Sequence, residues 1–296
     1  MDLCRKDILF LAGVIASLLA LSLIGWLSFG EAILVVTLGI SVGVVLFLQL
    51  VIYRKLQKSN EWQREQQLGI YHQLRERAKQ DYRQIEALSS MMQFVKLNRP
   101  LPPMRNWAIS PDMNNIIISE ILNINPAVIV ECGSGTSTII AAYVLMELER
   151  GKLYSLENEQ EYADKNQRLL EAHGLSDRAE VVYAPLIEVT LGEKTWLWYE
   201  NRLPPDMPSI DLLIVDGPLG DTHEMVRHPA LPVLYSLLSP LATIIVDDTI
   251  RKDEREMVKA WMEEFGDLEC QWMDTEKGTA VLRRKPHSHK GGKKEH

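Results

Sequence analysis

The sequence predicts an α/β chain: a doubly wound, mostly parallel sheet that follows a two-helix hairpin and a long helical stalk. Three observations predict it. Apolar strand-like runs alternate with helical stretches after Pro111, two uncharged apolar runs fill the first fifty-odd residues, and a polar, proline-free segment joins the two regions. Alternating β and α elements give a parallel sheet covered on both faces.

Composition narrows the function classes. The chain has 296 residues, 46% of them hydrophobic, 24% charged, with a formal net charge of -8. That length allows one catalytic-sized domain plus an accessory segment, with a core large enough to fold without staples. Cys4, Cys132 and Cys270 are scattered and odd in number, which fits a reducing compartment rather than a disulfide scaffold. Net acidity argues against a nucleic-acid partner, which selects a basic face.

Residues 1–53 read as a hairpin of two apolar spans, 8–29 and 32–53, each 22 residues long and broken by Glu31. As helices each covers about 33 Å, enough to cross a hydrocarbon core of about 30 Å. Arg5 and Lys6 precede the first span, Arg54, Lys55 and Lys58 follow the second, and the turn has no basic residue. The positive-inside rule then puts both termini and the following domain in the cytoplasm, with the lipid bilayer as a partner. A signal peptide has a shorter apolar region and no second span, and a soluble helical hairpin has a polar face.

Residues 54–98 read as a helical stalk. Tyr71, Ala78, Ile85 and Met92 recur every seven residues, and Leu74, Leu88 and Val95 fill the intermediate positions, with Asp81 the exception. Such heptads suit a coiled coil, and so a homo-oligomer through the stalk, or a single helix packed along the domain. Pro100, Pro102 and Pro103 end the helix, which makes 99–115 a linker and 116–284 the globular domain. Within that domain strands are expected at 127–131, 152–156, 179–183, 210–215 and 243–246. Helices are expected at 138–150, 159–173 and 251–265, and a terminal antiparallel hairpin at 268–273 and 279–283. The tail 285–296 is basic, carries His287, His289 and His296, and reads as disordered.

Ligands of such sheets bind at the carboxyl ends of the strands, and the polar motifs sit there. Glu131 and the loop Gly133-Ser134-Gly135 end the first strand, Glu157 the second, Asp216 the fourth, and Asp247-Asp248 the fifth. The loop alone is a weak signal. Thr138 stands where a dinucleotide fingerprint has its third glycine, and the Gly-Lys-Ser/Thr of a P-loop is absent. Glu131 would repel a pyrophosphate but suits an amino group or the amino-acid end of a sulfonium compound. Glu157 is placed either to accept both hydroxyls of a ribose or to complement the next helix dipole.

Taken together, Val128–Thr138 (VIVECGSGTST), Leu153–Asn158 (LYSLEN) and Val181–Pro185 (VVYAP) resemble the class I S-adenosylmethionine-dependent methyltransferases. The spacing of Ile210–Pro218 (IDLLIVDGP) and Ile244–Asp248 (IIVDD) resembles the catechol-type O-methyltransferase branch. The resemblance spans about 116–284 and implies a Rossmann-like, seven-stranded sheet, mostly parallel with an antiparallel last strand. It implies S-adenosyl-L-methionine as cofactor, held by Glu131, Gly133, Gly135 and Ser137 at the methionine, Glu157 at the ribose, Ala184 near the adenine, and Asp216. It also implies Asp216, Asp247 and Asp248 as catalytic residues and Mg2+ ligands, since that branch uses a cation to lower the acceptor hydroxyl's pKa. Two departures bear on the metal: Asp248 stands where asparagine is usual, and Gly217-Pro218 alters the loop after Asp216.

Without a metal, Asp216 is a candidate base, and Asp247 and Asp248 are candidate helix caps. His223, His228, Arg227 and Arg251 are candidate acceptor contacts or solvated charges. Trp196, Trp198 and Tyr199, in an insert at 186–209, either roof the acceptor pocket or pack the insert down. The expected function is methylation, at oxygen, of a small-molecule, glycan or lipid-linked acceptor. The alternatives are a non-catalytic membrane scaffold with a ligand-binding domain, or a nicotinamide-dependent oxidoreductase.

Overall fold

The computed structural model describes residues 5–29, 31–104, 107–219 and 224–285; of residues 5–11, 29 and 32 it describes the backbone alone. The chain forms two compact units, 1–78 and 79–296.

In the first unit α1 (Arg5–Phe29) and the opening of α2 (Glu31–Phe94) are helical, so the second apolar run and the stalk are continuous secondary structure. Large apolar side chains stand exposed along both, among them Leu19, Leu27, Val35 and Phe47. Their hydroxyls are satisfied locally: Ser22 Oγ donates to Leu18 O, and Thr37 Oγ1 to Ile33 O, both at 2.9 Å. That back-bonding suits a helix without water around it. Among the described residues one helix, from Ile33 onward, is long and apolar enough to cross a membrane; the apolar stretch of α1, Ala12–Ser28, is shorter. The expectation of two equal spans is therefore corrected to one span that length and composition carry.

The second unit is a sheet between two helical layers. Its strands are β1 (Val128–Cys132), β2 (Lys152–Glu157), β3 (Ala179–Tyr183), β6 (Ile210–Val215), β7 (Leu238–Val246), β8 (Leu268–Met273) and β9 (Thr279–Arg284). They lie in the order β3-β2-β1-β6-β7-β9-β8, parallel except where β9 pairs antiparallel with β7 and β8. The chain leaves β1 for β2 on one side and returns to β6 on the other, so the switch point lies beside β1. A separate hairpin, β4 (Leu186–Leu191) and β5 (Lys194–Tyr199), occupies the insert.

Side chains alternate across β1 as a half-turn period dictates. Val128, Val130 and Cys132 join Met257, Val258 and Trp261 of α7 (Lys252–Glu264) in one apolar layer. Ile129 joins the other, under α3 (Pro111–Ile124), α4 (Thr136–Glu147) and α5 (Gln160–His173). Pro111 opens α3, where its missing N–H costs nothing, and α3 buries Met113, Ile117 and Ile121. The domain thus reaches back past the expected boundary at 116, and the compact unit begins at Lys79.

The stalk's end packs on this layer, with Val95 the one buried heptad position. Ala87, Met91 and Val95 are buried, whereas Ile85 is 63% and Met92 41% exposed. Gln84 Nε2 donates to Asp112 Oδ2 at 2.8 Å, and Asn115 Nδ2 to Ala87 O at 3.0 Å, which fixes the buried face beside the heptad one. A seven-residue repeat gives a helix an apolar stripe without saying what meets it. Met91→Ala should therefore cost about 2–5 kcal/mol of stability in chemical denaturation, and Ile85→Ala within about 0.5 kcal/mol.

Candidate active site

Strand register assembles the site. Glu131 pairs with Ser155, Cys132 with Val215, Val215 with Val246, and Val246 with Ala280. One row at the carboxyl edge therefore holds the glycine loop, Glu157, Asp216, Asp247 and the β8–β9 turn.

β1 enters α4 through Gly133-Ser134-Gly135. Gly133 has φ +93, and a Cβ on it would lie 3.2 Å from the Gly217 nitrogen. A Cβ on Gly217 would meet the Gly133 nitrogen at 3.0 Å and collide with the Tyr199 hydroxyl. The loops after β1 and β6 thus touch backbone to backbone, and only glycine fits at both. The Tyr199 hydroxyl beside them is buried without a hydrogen-bond partner.

Glu131 is fully buried on the α4 side. Its carboxylate accepts from Ser137 Oγ and Thr138 Oγ1, both at 2.5 Å, and from Ser155 Oγ at 2.8 Å. Burial raises its pKa, and the three hydroxyls oppose that rise. The carboxylate expected to meet a ligand's amino group is instead fully engaged inside the protein, and so is Ser137. Together they pin the first turn of α4 under the glycine loop.

Glu157 does face the loop. Its Oε2 accepts from Ser134 Oγ at 2.7 Å and Ser134 N at 3.3 Å, and its Oε1 from Glu159 N at 3.1 Å. Asn166 Nδ2 donates to the same Ser134 hydroxyl at 2.7 Å. A carboxylate held by a hydroxyl at the lip of a glycine loop suits a polyol that takes the hydroxyl's place. Ala184 is buried, and its N–H donates to Glu157 O at 2.8 Å, so it supports this edge from within.

Asp216, Asp247 and Asp248 each bring one carboxylate oxygen within 4.8 Å of the others. Cations already stand among them. Arg227, 2% exposed, sets Nη2 at 3.0 Å from Asp248 Oδ2 and 3.5 Å from Asp216 Oδ1. Arg251 Nη1 reaches Asp248 Oδ2 at 3.1 Å, and Lys277 Nζ lies 3.9 Å from Asp247 Oδ2. This donor set does not suit a divalent ion, because guanidinium groups hold the oxygens that would ligate it. Arg227 is thus a buried ion-pair partner rather than a solvated charge. Asp248, at φ +61, does not cap α7; Arg251 is the N-cap.

Burial, with Asp247 beside it, pushes Asp216 well above the ordinary carboxylate range against the pull of Arg227. Burial and the Asp248 charge push Asp247 up to about 6. Asp216 is the most exposed of the three, with 16% of its side chain accessible against 0% for Asp247.

The remaining candidates fall away from this edge or outside the described residues. His228 stacks on Trp196 at 4.8 Å, and its carbonyl accepts from Trp261 Nε1 at 3.0 Å, so it and the insert's tryptophan pack together. Trp198 is a core residue, whereas Tyr199, also buried, keeps its hydroxyl at the Gly133–Gly217 contact. His223 and the tail histidines lie outside the described residues. Sequence reasoning missed Lys277, which reaches Asp247 because Gly278, at φ +72, lets the β8–β9 turn press against Thr249 and Ile250. It also missed Ser134, Thr138 and Ser155, whose roles follow from register.

Residues 130–249 match the family model of a methyltransferase domain. The matched segment runs from β1 to the residue after Asp248, so it contains the glycine loop, Glu157 and all three aspartates. No curated protein sequence matches the chain. Among solved structures the chain is similar to the O-methyltransferase TomG of Streptomyces achromogenes in complex with SAM, at 16% identity and a TM-score of 0.47, covering 68% of this chain and 89% of that one. It is similar to the Podospora anserina methyltransferase PaMTH1 bound to SAH, at 17% identity and 0.48, covering 68% and 87%. The Bacillus cereus O-methyltransferase in complex with SAH gives 18% identity and 0.45, covering 68% and 90%.

The Asp247 shift yields a signed prediction. A folded-state pKa near 6, above the ordinary 3.8, means the folded chain binds the extra proton, so stability falls as pH rises through about 6. Asp247→Asn removes that cost. It should stabilise the chain at pH 7.5 by up to about 3 kcal/mol, with the gain shrinking toward pH 4 in thermal melts.

Proposed function

We propose that the chain is a membrane-anchored, S-adenosylmethionine-dependent methyltransferase that methylates a hydroxyl of a small-molecule, glycan or lipid-linked acceptor. One observation carries the reading. Within a segment that matches a methyltransferase domain, the glycine loop with Glu157 and a carboxylate cluster share the carboxyl edge of one sheet. S-adenosylmethionine supplies a methyl group on a sulfonium, open to in-line attack by a nucleophile.

The chain's own groups supply the rest. Glu157 binds the ribose hydroxyls in place of Ser134, and the close approach of Gly133 to Gly217 keeps side chains out of the cofactor's path. Asp216, the accessible member of the cluster, takes the acceptor proton, and its raised pKa makes it a stronger base than an ordinary carboxylate. A base needs only to sit within hydrogen-bond reach of the hydroxyl, so positioning does most of the work.

The helix from Ile33 anchors the chain in a bilayer. Its exposed apolar side chains and the basic residues Arg54, Lys55 and Lys58 that follow its apolar stretch support this. Exposed Ile85, Leu88 and Met92 support pairing of two copies along the stalk.

Titration of the full chain in detergent micelles with S-adenosylhomocysteine tests the cofactor. A dissociation constant on the order of micromolar is expected, weakened at least about tenfold by Glu157→Ala. Absence of binding by the folded chain would refute the reading. The full chain is needed because cutting before Asn98 removes Met91 and Val95 from the core. For the anchor, the chain should stay with the membrane pellet through alkaline carbonate; release into the supernatant would exclude a span.

A further inference from the structure

The acidic cluster at the sheet edge carries its own counter-charges. Asp216, Asp247 and Asp248 face Arg227, Arg251 and Lys277, with Arg251 also 3.5 Å from the buried Glu254. The arginine at the centre is not free to leave. Its side chain is 2% exposed, its Nε donates to Pro218 O at 3.3 Å, and its Nη2 spans Asp216 and Asp248.

A magnesium-type ion demands near-octahedral oxygen ligands at about 2.0–2.1 Å and keeps several waters. Here Asp248 Oδ2 is shared by two guanidinium groups, and Asp216 Oδ1 faces one of them. Asp247 is the exception, since among the described residues both its oxygens are buried without a hydrogen-bond partner, facing the Lys277 ammonium at 3.9 Å. An ion would have to use the second oxygens of Asp216 and Asp248, and any ion touching all three carboxylates would stand against a buried guanidinium of like charge.

We infer that the Arg227 guanidinium takes the position of a divalent cation among Asp216, Asp247 and Asp248, holding Asp216 and Asp248 in place, so that the site works without metal. Arg227 is then a positioning residue acting through Asp216. Its Nη2 alone faces both carboxylates, and its charge is permanent, where an exchangeable ion's is not. The assignment to catalysis rests on the methyltransferase reading; the occupancy of the site by Arg227 does not.

Mn2+ is the probe, with the loss of its free-ion resonance signal as the readout, on the full chain in detergent and without cofactor. The wild-type chain should leave Mn2+ free up to about 1 mM. Arg227→Met, which keeps the aliphatic stem and removes the charge, should bind one Mn2+ at least about tenfold more tightly than the wild type. Arg227→Lys should stay metal-free. One Mn2+ per wild-type chain, lost in Asp216→Asn, would overturn the inference, and this arm decides it even if Arg227→Met fails to fold. A folded Arg227→Met that binds no Mn2+ would overturn it too. Binding of S-adenosylhomocysteine is read separately, so metal uptake alongside such binding refutes this inference and leaves the methyltransferase reading standing.

Discussion

Collecting acids at one edge of a sheet is the constraint on which this domain turns. Parallel register brings Glu157, Asp216 and Asp247 into one row with Glu131 two residues behind it, and the low-dielectric interior there makes every uncompensated charge costly. The chain meets the cost in three ways. Glu131 is satisfied by three hydroxyls, Glu157 by a hydroxyl and two backbone N–H groups, and the aspartates by buried cations. The elements that provide those partners are fixed by the same need, including the first turn of α4 and the β8–β9 turn.

The three solutions separate roles. Hydroxyls around Glu131 have no exchange partner in solvent, so that carboxylate is architectural and sets the entry angle of α4. The Ser134 hydroxyl on Glu157 sits at the loop's lip, where a ligand hydroxyl is its chemical equal. Guanidinium compensation of Asp216 leaves part of that side chain accessible. At Asp247 removing the charge relieves a buried repulsion.

The stalk shows a related point about surfaces. A helix with apolar residues on two adjacent stripes can bury only one against a given partner. The stripe of Ala87, Met91 and Val95 wins on the domain because Gln84 and Asn115 lock the rotation through hydrogen bonds. The heptad positions before Val95 stay available, and the domain's core begins inside what reads from sequence as a spacer.

Periodicity by itself determined the sheet. β3, β6 and β8 begin and end where the strand-like runs do, the last antiparallel pair follows from its turn at Gly278, and in β6 burial on both faces leaves a nearly continuous apolar signature. The gathering of Glu157, Asp216, Asp247 and Asp248 at one edge was equally legible, since strand ends in such a sheet share a rim. Partnership was not. Whether Glu131 points at a ligand or at Ser155 depends on the β1–β2 register, and whether Arg227 is solvated or buried depends on how residues 224–229 fold back over Pro218. Those are contacts between segments distant in sequence, and nothing local in the chain encodes them. Only tertiary structure decided that the acids near the site already have their cations.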